Sequence, residues 1–189
     1  DGKTGAEVLI GERSLDEVIV ESVVPNLYVV PANRTLHGAV VQLTRNFGGE
    51  QKIRRALSSV LSEFASVIID CPGAAGVLTI AALVAADDVL AVATPTLKEL
   101  EGLPNLERTI GEVNATFDRR LHLAGVSEGV LRQLDATGTT AVLGDGAYLF
   151  ANPVAVHHAA ALHELPVLFV VILGPAACSI KDAFINGRV

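Results

Sequence analysis

Residues Ser66 to Gly76 read SVIIDCPGAAG, an apolar run closed by an acid, then Cys71, Pro72 and a glycine-flanked loop. Val67 to Asp70 has the β-branched composition of a short strand, and its apolar residues do not alternate with polar ones. A strand of that kind is buried on both faces, as in a parallel sheet covered by helices. Asp70 then falls at the carboxyl end of a central strand, the rim at which open α/β sheets bind ligands. There a carboxylate can hold Mg²⁺ through water, or it can simply cap the following loop. Gly73 and Gly76 let the backbone pass close to a phosphate, and equally they suit a tight turn.

Outward from this stretch the same pattern repeats. Further strands are expected at Leu27 to Val30, Val89 to Thr94, Leu121 to Val126 and Val167 to Leu173. Between them lie helical spacings. In Glu50 to Phe64 the apolar set Ile53, Ala56, Leu57, Val60, Leu61 and Phe64 forms one stripe, with Lys52, Arg54, Arg55 and Glu63 opposite. Helices are also expected at Gly76 to Ala86, at Pro104 to Phe117 with Pro104 in its first turn, and at Ala155 to Glu164. Helix and strand in alternation predict a doubly wound, mainly parallel α/β sheet.

A chain of 189 residues, 50% hydrophobic, suits one domain with a full core. With only 4% aromatic residues, that core must be built from Ala, Val, Leu and Ile. A stretch of about 18 uninterrupted apolar residues is absent, as is a basic-then-apolar leader, so a cytoplasmic protein without membrane contact is expected. Cys71 and Cys178 lie far apart and show no ligand spacing. The net charge of −7 argues against a surface devoted to nucleic acid, and no local basic patch is visible along the chain.

The remaining candidates are weaker. In VLAVATPTLKELEGL, Val89 to Leu103, a buried strand runs into Pro95, and a loop at this edge is a natural wall for a nucleotide base. Glu99 and Glu101 there also suit the positive end of the coming helix. His37, His122, His157, His158 and His163 have no spacing that gathers a metal site. Motifs of the GxSxG, HExxH and GxGxxG kinds do not occur, which leaves hydrolase and dehydrogenase readings without support. Gly2-Lys3-Thr4 imitates the close of a P-loop. Only Asp1 precedes it, however, and the apolar run after it stops at Gly11, so by position it is a decoy.

Taken in order, LIGERSLDEVI (Leu9 to Ile19), PNLYVVPAN (Pro25 to Asn33), SEF (Ser62 to Phe64), SVIIDCPGAAGVLTIAAL (Ser66 to Leu83), AADDVLAVATPTLKELEGL (Ala85 to Leu103) and NLERTIGEV (Asn105 to Val113) resemble successive blocks of the ParA/Soj/MinD-type partitioning ATPases. The resemblance is clear over about residues 5–126 and weak over 127–189, within a single domain of 1–189. It implies a three-layer fold of deviant P-loop NTPase type and ATP with Mg²⁺ as cofactors. Asp70 matches the family's Walker B acid near Mg²⁺, as catalytic and metal-site residue. Cys71 and Pro72 match the start of its CPP-type loop, with Gly73 in place of the second Pro. Pro95 and Leu100 to Leu103 match the segment bordering the nucleotide, and Pro72, Gly73, Pro95 and Glu99 are the expected cofactor-binding residues.

Further implications are an ATP-dependent homodimer, non-specific DNA binding, a ParB-like partner that stimulates hydrolysis, and a role in plasmid or chromosome segregation near the nucleoid. The family's KGGxGKT-type loop and the strand before it have no counterpart in these residues. Asp1 to Gly5 falls where the family's DxDPQG-type loop runs into a short helix. An N-terminally incomplete chain is therefore expected, inactive by itself, with exposed apolar surface, an unpaired backbone edge and a tendency to aggregate. The basic residues usual before the family's last strand give way to Asn152 and Pro153, which weakens DNA contact through that region. The alternative is a non-catalytic ParA-like module that binds a partner protein without using ATP.

Overall fold

The β-branched runs form strands where they were expected, in a computed structural model that describes residues 3–33, 35–71, 76–91, 103–125, 140–143 and 167–171. In chain order the strands are β1 (Val20–Glu21), β2 (Leu27–Val30), β3 (Ser66–Asp70), β4 (Asp88–Ala91), β5 (His122–Gly125), β6 (Thr140–Leu143) and β7 (Val167–Val171). The helices are α1 (Gly5–Ile10), α2 (Leu36–Arg45), α3 (Lys52–Leu57), α4 (Val77–Ala85) and α5 (Leu103–Phe117). Among the described residues, no helix is long and apolar enough to cross a membrane.

Among the described residues, one sheet holds the seven strands in the order β1-β2-β7-β3-β6-β4-β5. The β1·β2 pair is antiparallel and every other pair is parallel. In β3 the consecutive residues Val67, Ile68 and Ile69 are all buried. Successive side chains of a strand point to opposite faces, so both faces of β3 are covered, as its unbroken apolar run demands. Removing Leu27, Ile69 and Leu83 from water contributes about 1.5–3 kcal/mol each. The class is the α/β, mainly parallel sheet expected.

Three features depart from expectation. The first is the presence of β1 and β6, two strands that were not expected. β7 lies along β3 on one side, pairing Asp70 with Val171, and β6 along the other, pairing Asp70 with Leu143. Strands from the last third of the chain thus flank β3 on both sides.

The second is the helix expected over Glu50 to Phe64, which is broken. A tight 3₁₀ turn at Gly49–Gln51 leads into α3, which stops at Leu57, and another such turn spans Leu61–Glu63. The Ser58 and Ser59 hydroxyls donate to the carbonyls of Arg55 and Ala56 at 2.7 and 2.9 Å. Short hydroxyl side chains offer the backbone such alternatives to helix, and Val60 N–H then closes on Leu57 O at 2.9 Å in the tighter register. Ile53, Leu57 and Val60 stay buried, but the break turns Leu61 outward. Phe64 packs edge-on against Tyr28, their ring centroids 5.4 Å apart.

The third is α2, whose stripe of Leu36, Ala39 and Leu43 is buried although Gly38 and the adjacent Val40-Val41 dilute its helical signal. The helix expected at Ala155 to Glu164 lies outside the described residues.

Candidate functional site

Parallel strands place their carboxyl ends along one rim. β2 and β3 both run parallel to β7, so the end of β2 and the end of β3 share that rim. Asp70 closes β3 there, half-buried, and the chain continues into the buried Cys71. After Cys71 the described chain resumes at Gly76, which is extended at φ −109°, is exposed, and serves as the N-cap of α4 without a side-chain cap bond. A Cβ added at Gly76 would meet nothing within 4 Å. The first N–H groups of an α-helix have no intrahelical partner, so the start of α4 is a place of positive potential a few residues beyond a carboxylate.

The end of β2 brings a second helix start to the same rim. Gly5 N–H donates to Pro31 O at 2.9 Å, fixing the beginning of α1 against the segment that leaves β2. Thr4 is the N-cap, extended at φ −140°. Its N–H and hydroxyl both donate to Glu7 Oε2, at 2.9 and 2.5 Å, while its Oγ1 accepts from Ala6 N–H at 3.3 Å. This is a capping box. Partial burial raises the Glu7 pKa, but the hydrogen bonds from Thr4 and from the Glu7 backbone, with the charge of Arg13, together outweigh it and hold the carboxyl below its usual value. Thr4 of the P-loop-like triplet is thus engaged as a helix cap. Lys3 is exposed beside it.

Cys71 is not a nucleophile. Burial, with the charge of Asp70 beside it, pushes its thiol well above the ordinary value, so it stays protonated. Asp70 is the sequence-predicted site residue that the structure places, and it stands at the rim as expected. Pro72, Gly73, Pro95 and Glu99 lie outside the described residues. His37 and His122 are exposed on α2 and β5, on separate elements. Among the described residues, no group of three His, Cys, Asp or Glu is arranged to hold a metal ion. A single hard carboxylate at the rim is nevertheless the donor set suited to Mg²⁺ that takes its other ligands from water and substrate phosphates. Asp70 fits that role. Sequence reasoning did not foresee that α1 would be tied to the end of β2. The signal was present, because Thr-x-x-Glu ahead of an apolar run is a capping-box pattern.

Known proteins resemble this chain in sequence and in fold. The family described as an AAA domain matches residues 3–123. The sporulation initiation inhibitor protein Soj of Bacillus subtilis is 35% identical over 130 residues, covering 69% of this chain and 50% of that protein. The chromosome partitioning protein ParA of Myxococcus xanthus is 37% identical over 128 residues, covering 67% and 45% respectively. Among solved structures, cobyrinic acid a,c-diamide synthase from Mycobacterium smegmatis superposes with a TM-score of 0.59 at 32% identity, covering 65% of this chain and 50% of that one. A second crystal structure of the same synthase, with a bound ATP analog and magnesium, superposes with a TM-score of 0.58. The chain spans about half the length of the relatives it matches.

Proposed function

The chain belongs to the ParA/Soj-type P-loop ATPase family, and from that premise we propose that it serves DNA partitioning, of a plasmid or a chromosome, through an ATP-dependent cycle. In this reading the protein dimerises with ATP, binds DNA without sequence preference, and answers to a ParB-like partner that stimulates hydrolysis, in the cytoplasm at the nucleoid. The observation that carries the reading is Asp70 at the carboxyl end of a central parallel strand, followed after the loop by the start of α4 at Gly76.

Asp70 is the residue that would hold Mg²⁺, and Pro72, Gly73, Pro95 and Glu99 would border the nucleotide. When bound, Mg²⁺ supplies positive charge to the phosphate oxygens. The residues of this chain orient it. Asp70 is fixed by parallel pairing on both sides of its strand, and the positive end of α4 favours negative charge beside it. The magnesium and ATP analog seen in the Mycobacterium smegmatis synthase support the assignment of this cofactor pair.

Titration of the complete gene product with fluorescent ATP, with and without Mg²⁺, tests the reading. Micromolar affinity that requires Mg²⁺ supports it. Binding of a partner protein without measurable nucleotide affinity would replace it with the non-catalytic module.

A further inference from the structure

At the β1 end of the sheet the fold encloses a cavity of about 360 Å³, lined by Asp16, Ile19, Glu21, Tyr28, Glu63 and Phe64. Three stretches of chain build it. In the first, Val18 and Ile19 N–H donate to Leu15 O at 3.1 and 3.2 Å, a turn anchored by the buried Leu15 and Val18 that carries Asp16 and Ile19. The second is the β1·β2 pair, whose antiparallel register sets Glu21 across from Tyr28. The third is the tight turn before β3. There Glu63 N–H donates to Val60 O at 2.9 Å, and Phe64 meets Tyr28 edge-on with 69° between the ring planes.

The wall is acidic and apolar at once, and none of the six residues that line it is basic. The ion pairs among the described residues are Arg13–Glu17, Arg108–Glu112 and Arg119–Asp87, and none involves Asp16, Glu21 or Glu63. Arg13, the cation nearest to Asp16 in sequence, is turned to Glu17 at 3.7 Å. The three acids do not converge on a point either. Among the described residues no group of three His, Cys, Asp or Glu is arranged to hold a metal ion. Their carboxyl groups are instead spaced around Ile19 and the two half-buried rings.

A cavity of this size falls within the range of small-molecule sites, about 300–1,000 Å³. Three acids facing it disfavour an anion, and their separation leaves a compact metal ion with too few ligands. An ammonium group is attracted both to a carboxylate, by a charge-assisted hydrogen bond, and to the face of Tyr or Phe. Acids set apart by apolar side chains match an aliphatic chain that carries several ammonium groups, because its methylenes can lie on the apolar surface while its charges reach the acids. We propose that this cavity binds an aliphatic polyamine. The site goes beyond the nucleotide reading and is separate from it in the fold: Phe64 precedes the amino end of β3, whereas Asp70 closes the carboxyl end.

The test is isothermal titration calorimetry with spermidine on the nucleic-acid-free complete gene product, at fixed ionic strength. Wild type is compared with E21Q/E63Q and F64L, with thermal melts to confirm folding. Mg²⁺ and Nα-acetyl-lysine amide are titrated in parallel. Wild type should bind spermidine at one site and more tightly than either control. Loss of two charged hydrogen-bond acceptors in E21Q/E63Q should weaken binding at least about tenfold. Loss of the ring in F64L should weaken it about two- to fivefold. If the double variant melts lower than wild type, Glu63→Gln alone, outside the sheet, decides by the same comparison. Absence of spermidine binding, or affinity unchanged in the glutamine variants, would overturn the proposal. Equal binding of Mg²⁺ would reduce the site to a diffuse acidic surface and overturn it. Lysine amide binding as tightly as spermidine would replace the polyamine with a single protein-borne ammonium.

Discussion

Thr4 and Glu7 are locked together at the start of α1, the threonine hydroxyl donating to Glu7 Oε2 at 2.5 Å and its N–H to the same oxygen at 2.9 Å. This pair gives the Gly2-Lys3-Thr4 triplet a structural task. Replacing an N-cap threonine by alanine costs about 1 kcal/mol, and Thr4→Ala is expected to lose that much in denaturant unfolding. An unchanged midpoint would contradict the cap.

The same pair makes stability depend on pH. Because the Glu7 pKa is lowered in the folded state, its contribution is present above the unfolded carboxylate value of 4.5 and is lost as pH falls through the lower folded value. Glu7→Gln removes the titrating group. The stability difference between wild type and Glu7→Gln should therefore be constant near neutral pH and narrow below the unfolded value. A difference that stays constant through acid pH would show that Glu7 is not held low.

Gly49 tolerates no side chain in the present backbone, since a Cβ there would stand 2.3 Å from Leu43 O. Gly49→Ala is expected to destabilise by about 1–3 kcal/mol, typical of overpacking a site that must shift to accept new atoms. Gly38, on the exposed face of α2 with nothing within 4 Å of its Cβ position, provides the contrast. Gly38→Ala should stabilise, because alanine favours helix over glycine by about 1 kcal/mol. Equal thermal shifts in the two variants would refute the close contact.

Cys71 is buried and its thiol pKa is raised, so it should resist iodoacetamide in the native state at pH 8 and react only on unfolding. Mass spectrometry of native and denatured protein, read at the peptide containing Cys71, distinguishes the two. Rapid native labelling would show that the segment after β3 opens.

How much of this was legible in the sequence depended on what each element relies upon. β2, β3 and α4 were legible because their residues carry an unbroken apolar signal that burial alone explains, and the acid ending β3 marked the rim. The Glu50 to Phe64 segment misled because its apolar stripe is genuine while the helix is interrupted. Ser58 and Ser59 redirect their hydroxyls to Arg55 O and Ala56 O, a local competition that periodicity does not register. The places of β6 and β7 on either side of β3 follow from long-range pairing, for which Thr140 to Leu143 carries little local signal.

The central claim, that Asp70 serves a magnesium-bound nucleotide, is tested most directly by Mg²⁺-dependent ATP turnover in the complete gene product and its Asp70→Asn variant. The neutral amide keeps the shape of the side chain and removes its charge. A roughly 10–100-fold loss of Mg²⁺ affinity or turnover, with the thermal melt preserved, is the result expected when a carboxylate orienting a metal is lost. Turnover and Mg²⁺ dependence equal to wild type in Asp70→Asn would contradict the account.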